Sequence, residues 1–323
     1  MKVVQMSEVI LRRWIVVSRT ALSRTIIGAL ICMAALWCTA GCGEVGQVHP
    51  GVGIVDTQPK IDMAFMLRYS LQTMSSRYMP LIRYLSRETG CDVRYISAIG
   101  YPGFLSAVEQ ADADFAFVNP LAYVMLHKTQ GAYPLVMTED PDFAGGPPRA
   151  TYRGVILARA DSGIGSIADL RGNIIAAGPQ MAIAGRVAPQ ALCRRAGVDV
   201  TRQATVVGCP TQEDVLKRLQ GSRADAGFVR EDIWREAVGG GPTGTELIPI
   251  AYTEAYPGWC ACVMGDTAPA VAQMVKRALL ELDWDNPNHK TILRATGLRG
   301  FVEASDEQYN VVRRLLDELG IPY

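Results

Sequence analysis

"ADFAFVN", residues 113–119, and "ADAGFV", residues 224–229, are nearly one stretch written twice. Each is a short apolar run of the kind that forms a buried strand. The segments around the two copies follow one grammar. Before the first copy, "IDMAFML" (61–67) reads as a strand. "SRYMPLIRYLSRET" (76–89) has helical periodicity that turns Met79, Ile82 and Leu85 inward, and Gly90 stops it. "CDVRYISA" (91–98) alternates as a strand, and "GFLSAVEQ" (103–110) reads as a short helix. Asn119-Pro120 then opens another short helix, which carries Tyr123.

The second copy has matching company. "YRGVILAR" (152–159) is a strand, and Ser166 with Asp169 forms a capping box for a short helix ending near Gly172. "NIIAAG" (173–178) is a strand, 182–196 is helical with Gly197 behind it, and "RQATVVG" (202–208) is a strand. Thr211 with Asp214 caps a helix that runs to Gly221. A β-α-β-α-β order used twice predicts two α/β units, each a mostly parallel sheet flanked by helices, with a ligand cleft between them. "ELIPIAYTEAYP" (246–257) brings the chain back to the first unit. The amphipathic helices at 268–283 and 305–320, the second capped by Ser305 and Gln308, complete it.

The chain has 323 residues, enough for about two domains. Lys plus Arg and Asp plus Glu both total 32, so no net charge points to nucleic acid. The N-terminus is of another kind. Lys2, Arg12, Arg13, Arg19 and Arg24 precede the 15-residue apolar run "IIGALICMAALWCTA" at 26–40. That run is short for a membrane span and suits a signal h-region. Thr39, Ala40 and Gly41 lead into Cys42 as in a bacterial lipobox, with cleavage before Cys42 and lipid on its thiol. The other reading is an uncleaved membrane anchor, and both export the rest of the chain and tether it to a membrane.

Cys91, Cys193, Cys209, Cys260 and Cys262 remain after the signal, an odd number whose pairing spacing does not fix. They are core residues or one or two bridges; Cys260 and Cys262 lack the second cluster that a metal site needs. No nucleophile lies beside an identifiable His, and no P-loop or dinucleotide fingerprint occurs. "VGGGPTG" (238–244) reads as a surface loop. The expectation is therefore a binding protein, not an enzyme, with no cofactor and no metal.

Several stretches resemble one family. They are "MPLIRYLSRETGCDVRYISAIGYPGFLSAVEQADADFAFVNPLAYV", "YRGVILARADSGIGSIADLRGNIIAA", "LQGSRADAGFV" and "TGLRGFVEASDEQYNVV". In order and spacing, across roughly residues 60–315, they are similar to the substrate-binding components of ATP-driven importers for phosphate, phosphite and phosphonates. The resemblance implies a two-lobed periplasmic-binding-protein fold that closes on its ligand. Together with the N-terminal reading, it divides the chain into a lipoprotein signal peptide (1–41), a tether (42–60), lobe 1 (61–154 and 252–323) and lobe 2 (155–251). It implies an exported, membrane-anchored lipoprotein that takes a small oxyanion to an ABC permease. The alternative is a receptor of the same fold with an altered ligand, presenting it to a membrane sensor.

The resemblance also assigns residues. Tyr101 and Tyr123 match the family's first-lobe ligand tyrosines. Asn119 stands at the cleft edge, as an anion donor or as a helix cap. The family's Ser/Thr-rich cradle corresponds to "PQMAIAG" (179–185), where backbone donors remain and every hydroxyl is gone. Gln180, Met181 and Ala182 stand there instead. Thr211 lies nearest the family's His, and it is also an N-cap candidate. Glu231, between Arg230 and Asp232, is placed to meet an amino group on the ligand. A hydrogen bond to a charged partner contributes about 1.5–3 kcal/mol. The missing hydroxyls therefore separate the fold, which they leave intact, from the ligand, which they put in question: a different anion or a more apolar molecule.

Overall fold

Ser70 and Gly90 bracket the first helix of a computed structural model that describes residues 58–142, 146–239 and 246–323. The signal, Cys42 and nearly all of the tether lie outside the described residues, as do 240–245, which include most of the Gly-rich stretch. The Ser70 hydroxyl accepts from the Thr73 amide, and Gly90 ends the helix at φ 68°, where a Cβ would be strained.

The first run of elements is β1 (Lys60–Phe65), α1 (Leu71–Thr89), β2 (Asp92–Ser97), α2 (Gly100–Gln110), β3 (Phe115–Val118), α3 (Pro120–Gln130) and β4 (Tyr133–Glu139). The second run is β5 (Thr151–Arg159), β6 (Ile174–Ala177), α4 (Ala188–Arg195), α5 (Val200–Gln203), β7 (Thr205–Gly208), α6 (Gln212–Gln220), β8 (Ala226–Arg230), α7 (Glu231–Gly239) and β9 (Leu247–Pro257). The chain then returns through β10 (Cys260–Val263), α8 (Pro269–Leu280), α9 (Pro287–Thr296), β11 (Gly300–Glu303) and α10 (Asn310–Leu319).

These elements build two lobes, each a sheet flanked by helices. One sheet has six strands in the order β11-β4-β10-β3-β1-β2, and the other has five in the order β7-β6-β8-β5-β9. The crossovers through helices give the expected parallel pairs: β1 with β2 and β3, and β6 with β7 and β8. The strands that follow a change of lobe run the other way. β5, entered from lobe 1, inserts antiparallel between β8 and β9. β10, entered from lobe 2, inserts antiparallel between β3 and β4. Each sheet is thus parallel on one side and antiparallel on the other.

Several local expectations shift. Met79 is only half-buried; the buried face of α1 runs through Met74, Tyr78, Leu81, Ile82 and Leu85. The strand at 202–208 begins only at Thr205, because the Asp199 side chain accepts from the Thr201 amide and caps the short α5. The helix at 182–196 starts as a π turn over Ile183–Val187, then becomes α4. Both capping boxes, Ser166 with Asp169 and Ser305 with Gln308, are formed. Cys91, Cys193, Cys209, Cys260 and Cys262 are all free and buried, so of the two readings the chain takes core residues over bridges.

The largest core is that of lobe 1, and it does not stop at the lobe boundary. Ile183, Ala184, Val187, Ala188 and Ala191, from the π turn and α4, pack into the same apolar cluster as Phe65, Phe117 and Tyr309. Across the exposed rim, Arg195 of α4 donates to Glu318 of α10 at 2.6 Å. The start of the second-lobe helix is therefore buried against the first lobe.

Candidate functional site

In a sheet of this kind, ligands bind beyond the carboxyl ends of the parallel strands, where helices begin. Here those helix starts are joined by side-chain contacts. Asn119, the cap of α3, accepts from the Ala122 amide at 2.8 Å and donates through Nδ2 to the Met181 carbonyl at 3.0 Å. Of the two readings the sequence left open, the helix cap is formed, and the side-chain donor meets a carbonyl of the facing lobe. Gln212, the first residue of α6, lies against the start of the π turn: a Cβ on Gly185 would stand 2.9 Å from its Cδ and Oε1. The same Oε1 accepts from the Arg230 amide at 2.6 Å.

Arg230 then joins a buried ionic quartet. Its Nη2 donates to Asp140 at 2.8 Å and to Asp232 at 2.6 Å. Arg68, just after β1, lies 3.2 Å from Asp232 and 3.7 Å from Asp140. Asp140 and Arg68 belong to lobe 1, Arg230 and Asp232 to lobe 2. Arg230 is only 3 % exposed, and its guanidinium also sits 4.2 Å over the Tyr152 ring. Burial pushes the Asp232 carboxyl up, but the guanidiniums of Arg230 and Arg68 outweigh it and hold the group below its ordinary value. Two donors of the quartet, Arg68 Nε and Arg230 Nη1, are buried without a partner among the described residues. A buried network left partly satisfied is costly to keep as it is.

At the expected cradle the polar groups are those of the backbone. The first helical bonds at this end run from Val187 to Ala182 and from Ala188 to Ile183, each five residues back. The amides of Ile183, Ala184, Gly185 and Arg186 precede them and have no helical acceptor. The Ala182 amide is already used, by the Pro179 carbonyl at 3.0 Å. Free donors therefore begin at Ile183, inside the expected stretch and one residue past Ala182. Gln180 is exposed, and Met181 is half-buried against the lobe 1 core. Gly154 of β5 lets this turn come close, since a Cβ there would stand 2.6 Å from the Ala184 carbonyl oxygen.

One cation on this turn was not read from sequence. Arg186 donates through Nε to the Gly178 carbonyl at 2.8 Å. Its Nη2 lies 3.2 Å from where a Cβ on Gly208 would stand. Both glycines lie at the carboxyl ends of lobe 2 strands, at β6 and β7. Burial pushes its pKa down, and among the described residues no carboxylate forms an ion pair with it. In the sequence it is one arginine inside a helical run, and nothing in the periodicity sets it apart.

Other expected ligand residues are placed elsewhere. Tyr123 is fully buried; its hydroxyl donates to Asp306 at 2.6 Å and its ring meets Tyr309 at 4.4 Å. In this arrangement it packs within the lobe 1 core and its hydroxyl is engaged there, not turned toward a cleft. Glu231 is held by Arg153 at 3.0 Å and by Arg235 at 2.7 Å, so its oxygens are already engaged. Thr211 is the N-cap of α6: it accepts from the Asp214 amide and donates to the Asp214 carboxylate at 2.8 Å. Its neighbour Gln212 is the one that reaches the cradle. Tyr101 begins α2, and its hydroxyl points at Met125 Sδ, 2.9 Å away; burial pushes the phenol up to about 12.

Two cavities flank the quartet. One, of about 350 Å³, lies over the strands that link the lobes and is lined by Tyr152, Arg153, Arg230, Glu231 and Arg235 among others. The second, of about 200 Å³, lies beside Arg68 and Trp284. Neither touches residues 179–186, where the lobes are already in contact.

The family described as "ABC transporter, phosphonate, periplasmic substrate-binding protein" matches residues 63–309. The chain belongs to this family of periplasmic phosphonate-binding proteins. A relative from Prochlorococcus marinus, the probable ABC transporter phosphite-binding protein PhnD1, is 21% identical over 255 residues, covering 75% of this chain and 84% of the relative. The solved structure of Prochlorococcus marinus PhnD1 with methylphosphonate superimposes with a TM-score of 0.71 at 17% identity, over 81% of this chain and 99% of that one. A binding-protein component of a phosphonate ABC transporter from Pseudomonas aeruginosa gives 0.69 at 17% identity, over 81% of this chain and 87% of that one. The two-lobed architecture is that of periplasmic phosphonate-binding proteins, a transport family. Within that frame the present chain has no side-chain hydroxyl at 179–185 and has a lobe-to-lobe quartet of charges.

Proposed function

We propose that this protein is a lipid-anchored receptor that captures a small oxyanion between its lobes and hands it to an ABC importer, with no catalytic step of its own. The observation that carries the reading is the turn at 183–186. Four successive helix-start amides, the unpaired Arg186 and the flanking Gln212 supply donors to one place at the strand ends. A helix N-terminus favours negative charge through both its free N–H groups and its dipole. Asn119 joins from the facing lobe, exchanging the Met181 carbonyl for an anion oxygen as the ligand enters. Tyr101 stands at the edge, and Arg186 supplies the charge-assisted bonds that hydroxyls supply weakly. Phosphonate, phosphite or a phosphate-like anion fits this donor set.

Anchoring follows from the lipobox reading of Cys42, and export to the periplasmic side from the family. Intact mass of the membrane-extracted protein is expected to show a chain that begins at lipid-modified Cys42; an unmodified chain that still carries residues 1–41 would favour the uncleaved anchor.

The deciding experiment is calorimetric titration of the full-length chain in detergent with phosphate, phosphite, methylphosphonate and 2-aminoethylphosphonate. Micromolar or tighter binding of one of them, lost in Arg186→Met, supports the reading. No heat with any of the four, in a folded sample freed of carried-over ligand, rejects it and turns the search toward other solutes and a sensor partner.

A further inference from the structure

The smaller cavity holds charges that the oxyanion site does not use. Arg77 of α1, Arg294 of α9 and Arg299 before β11 all face its space of about 200 Å³. Most buried or half-buried arginines here meet a carboxylate: Arg68, Arg153, Arg159, Arg230 and Arg313 all do. Arg77, Arg294 and Arg299 do not, among the described residues; they meet aromatic faces instead. Arg77 lies 4.3 Å over Tyr69, and Arg299 and Arg294 lie 3.7 and 5.9 Å from the Trp284 ring centre. An aromatic face orients a guanidinium and leaves its edge donors free. The opening Arg68–Asp140–Arg230–Asp232 group is neutral in itself. The remaining lining charges are these three arginines against Glu236 alone, an excess of positive charge in a concave, partly desolvated place.

We propose that this recess is a second binding site, for a small anion carrying at least two phosphate-type groups. Three guanidiniums fixed around one space repel one another, and a polyanion relieves that repulsion while taking forked hydrogen bonds from each. The volume suits a diphosphate and is small for anything much larger. Arg68, on the inner wall, keeps a buried Nε–H without an acceptor beside it. The recess touches both lobes, through Trp284 and Arg299 on one side and Asp232 and Glu236 on the other, so its occupant bridges them. It is separate from the turn at 183–186.

The test is titration of the full-length protein with inorganic pyrophosphate, with orthophosphate alongside. Pyrophosphate is expected to bind more tightly than orthophosphate, with an affinity that falls as salt rises. Arg77→Gln and Arg299→Gln are each expected to weaken it about tenfold or more, and to leave methylphosphonate binding within about twofold, since each removes a charge-assisted bond at the recess only. Arg294→Gln, at an exposed position, is expected to weaken pyrophosphate too and keeps the test usable if an inner variant fails to fold. Absence of pyrophosphate binding at millimolar concentration, equal affinity in all three variants, or one-for-one competition with methylphosphonate would overturn the proposal. If no phosphonate binds at all, the pyrophosphate series still decides the recess, because its variants lie outside the cradle.

Discussion

The Tyr123 hydroxyl and the Asp306 carboxylate meet at 2.6 Å, with Arg313 closing on the same oxygen from the other side. Burial pushes the Asp306 carboxyl up, and Arg313 with Tyr123 more than offsets that, holding it below its usual range. A hydrogen bond to a charged group contributes about 1.5–3 kcal/mol, toward the lower end here because Asp306 is 32% exposed. Tyr123→Phe is therefore expected to lower stability by about 1–2 kcal/mol in denaturant melts while leaving the ligand dissociation constant unchanged. A binding defect at unchanged stability would return Tyr123 to the cleft. The sequence cannot make this distinction. A tyrosine one turn into a helix that starts at a strand end is compatible with either fate, and which one it takes depends on Asp306, 183 residues away. Asn119 is the opposite case. Asn before Pro at a helix start announces a cap, and the cap is there. Its second bond, to Met181, could not be read because it depends on how the lobes meet. Gln212 carries no signal of its own in the sequence: Thr211 caps the helix, and that role turns the next side chain toward the turn at 183–186.

At the scale of elements, β5 and the π turn depend on Gly154. Its amide donates to the Thr253 hydroxyl at 2.8 Å, which satisfies the backbone where the β5–β9 register slips. Its missing side chain leaves room for the Ala184 carbonyl. Gly154→Ala puts a methyl group 2.6 Å from a backbone oxygen that cannot swing aside. Overpacking of this kind costs about 1–3 kcal/mol. It should push the turn at 183–186 outward, so that anion affinity falls along with the melting temperature; a variant with normal affinity would show that the cradle does not lean on β5. The elements themselves were largely legible, since caps and glycine stops are local chemistry. Periodicity reports which face is buried, not which strand lies alongside. That is why the sequence places β5 in its lobe but not in the middle of the sheet, and why the short β10 and the short, largely polar α9 do not stand out in it.

For the whole molecule the quartet matters most, because its two carboxylates and two guanidiniums come in pairs from the two lobes. Removing one partner of a buried ion pair costs about 3–5 kcal/mol, since the remaining charge keeps its desolvation. Asp232→Ala should thus destabilise the closed arrangement, seen as a larger radius of gyration in small-angle scattering of the ligand-free protein. An unchanged radius would mean that the apolar contact of the π turn and α4 holds the lobes without the charges. The pH dependence has a definite sign. The folded Asp232 pKa is lowered, so its stabilisation is complete above the unfolded value of about 3.9 and is lost as pH falls through the lower, folded one. Melting temperatures of the native protein and of Asp232→Asn should therefore begin to converge below about pH 4 and meet only once the lower, folded pKa is passed. The five sealed thiols of the described chain carry a further consequence. In the native protein these five thiols should be slow to react with oxidants, because each of the five cysteines is buried. The same five sulfurs are all exposed before folding is complete, and in an oxidising compartment any two of them that bridge will lock the chain out of its own core. Recovery from denaturant should therefore depend on a reductant that the finished protein no longer needs, and the survival of each new copy becomes a race between folding and oxidation.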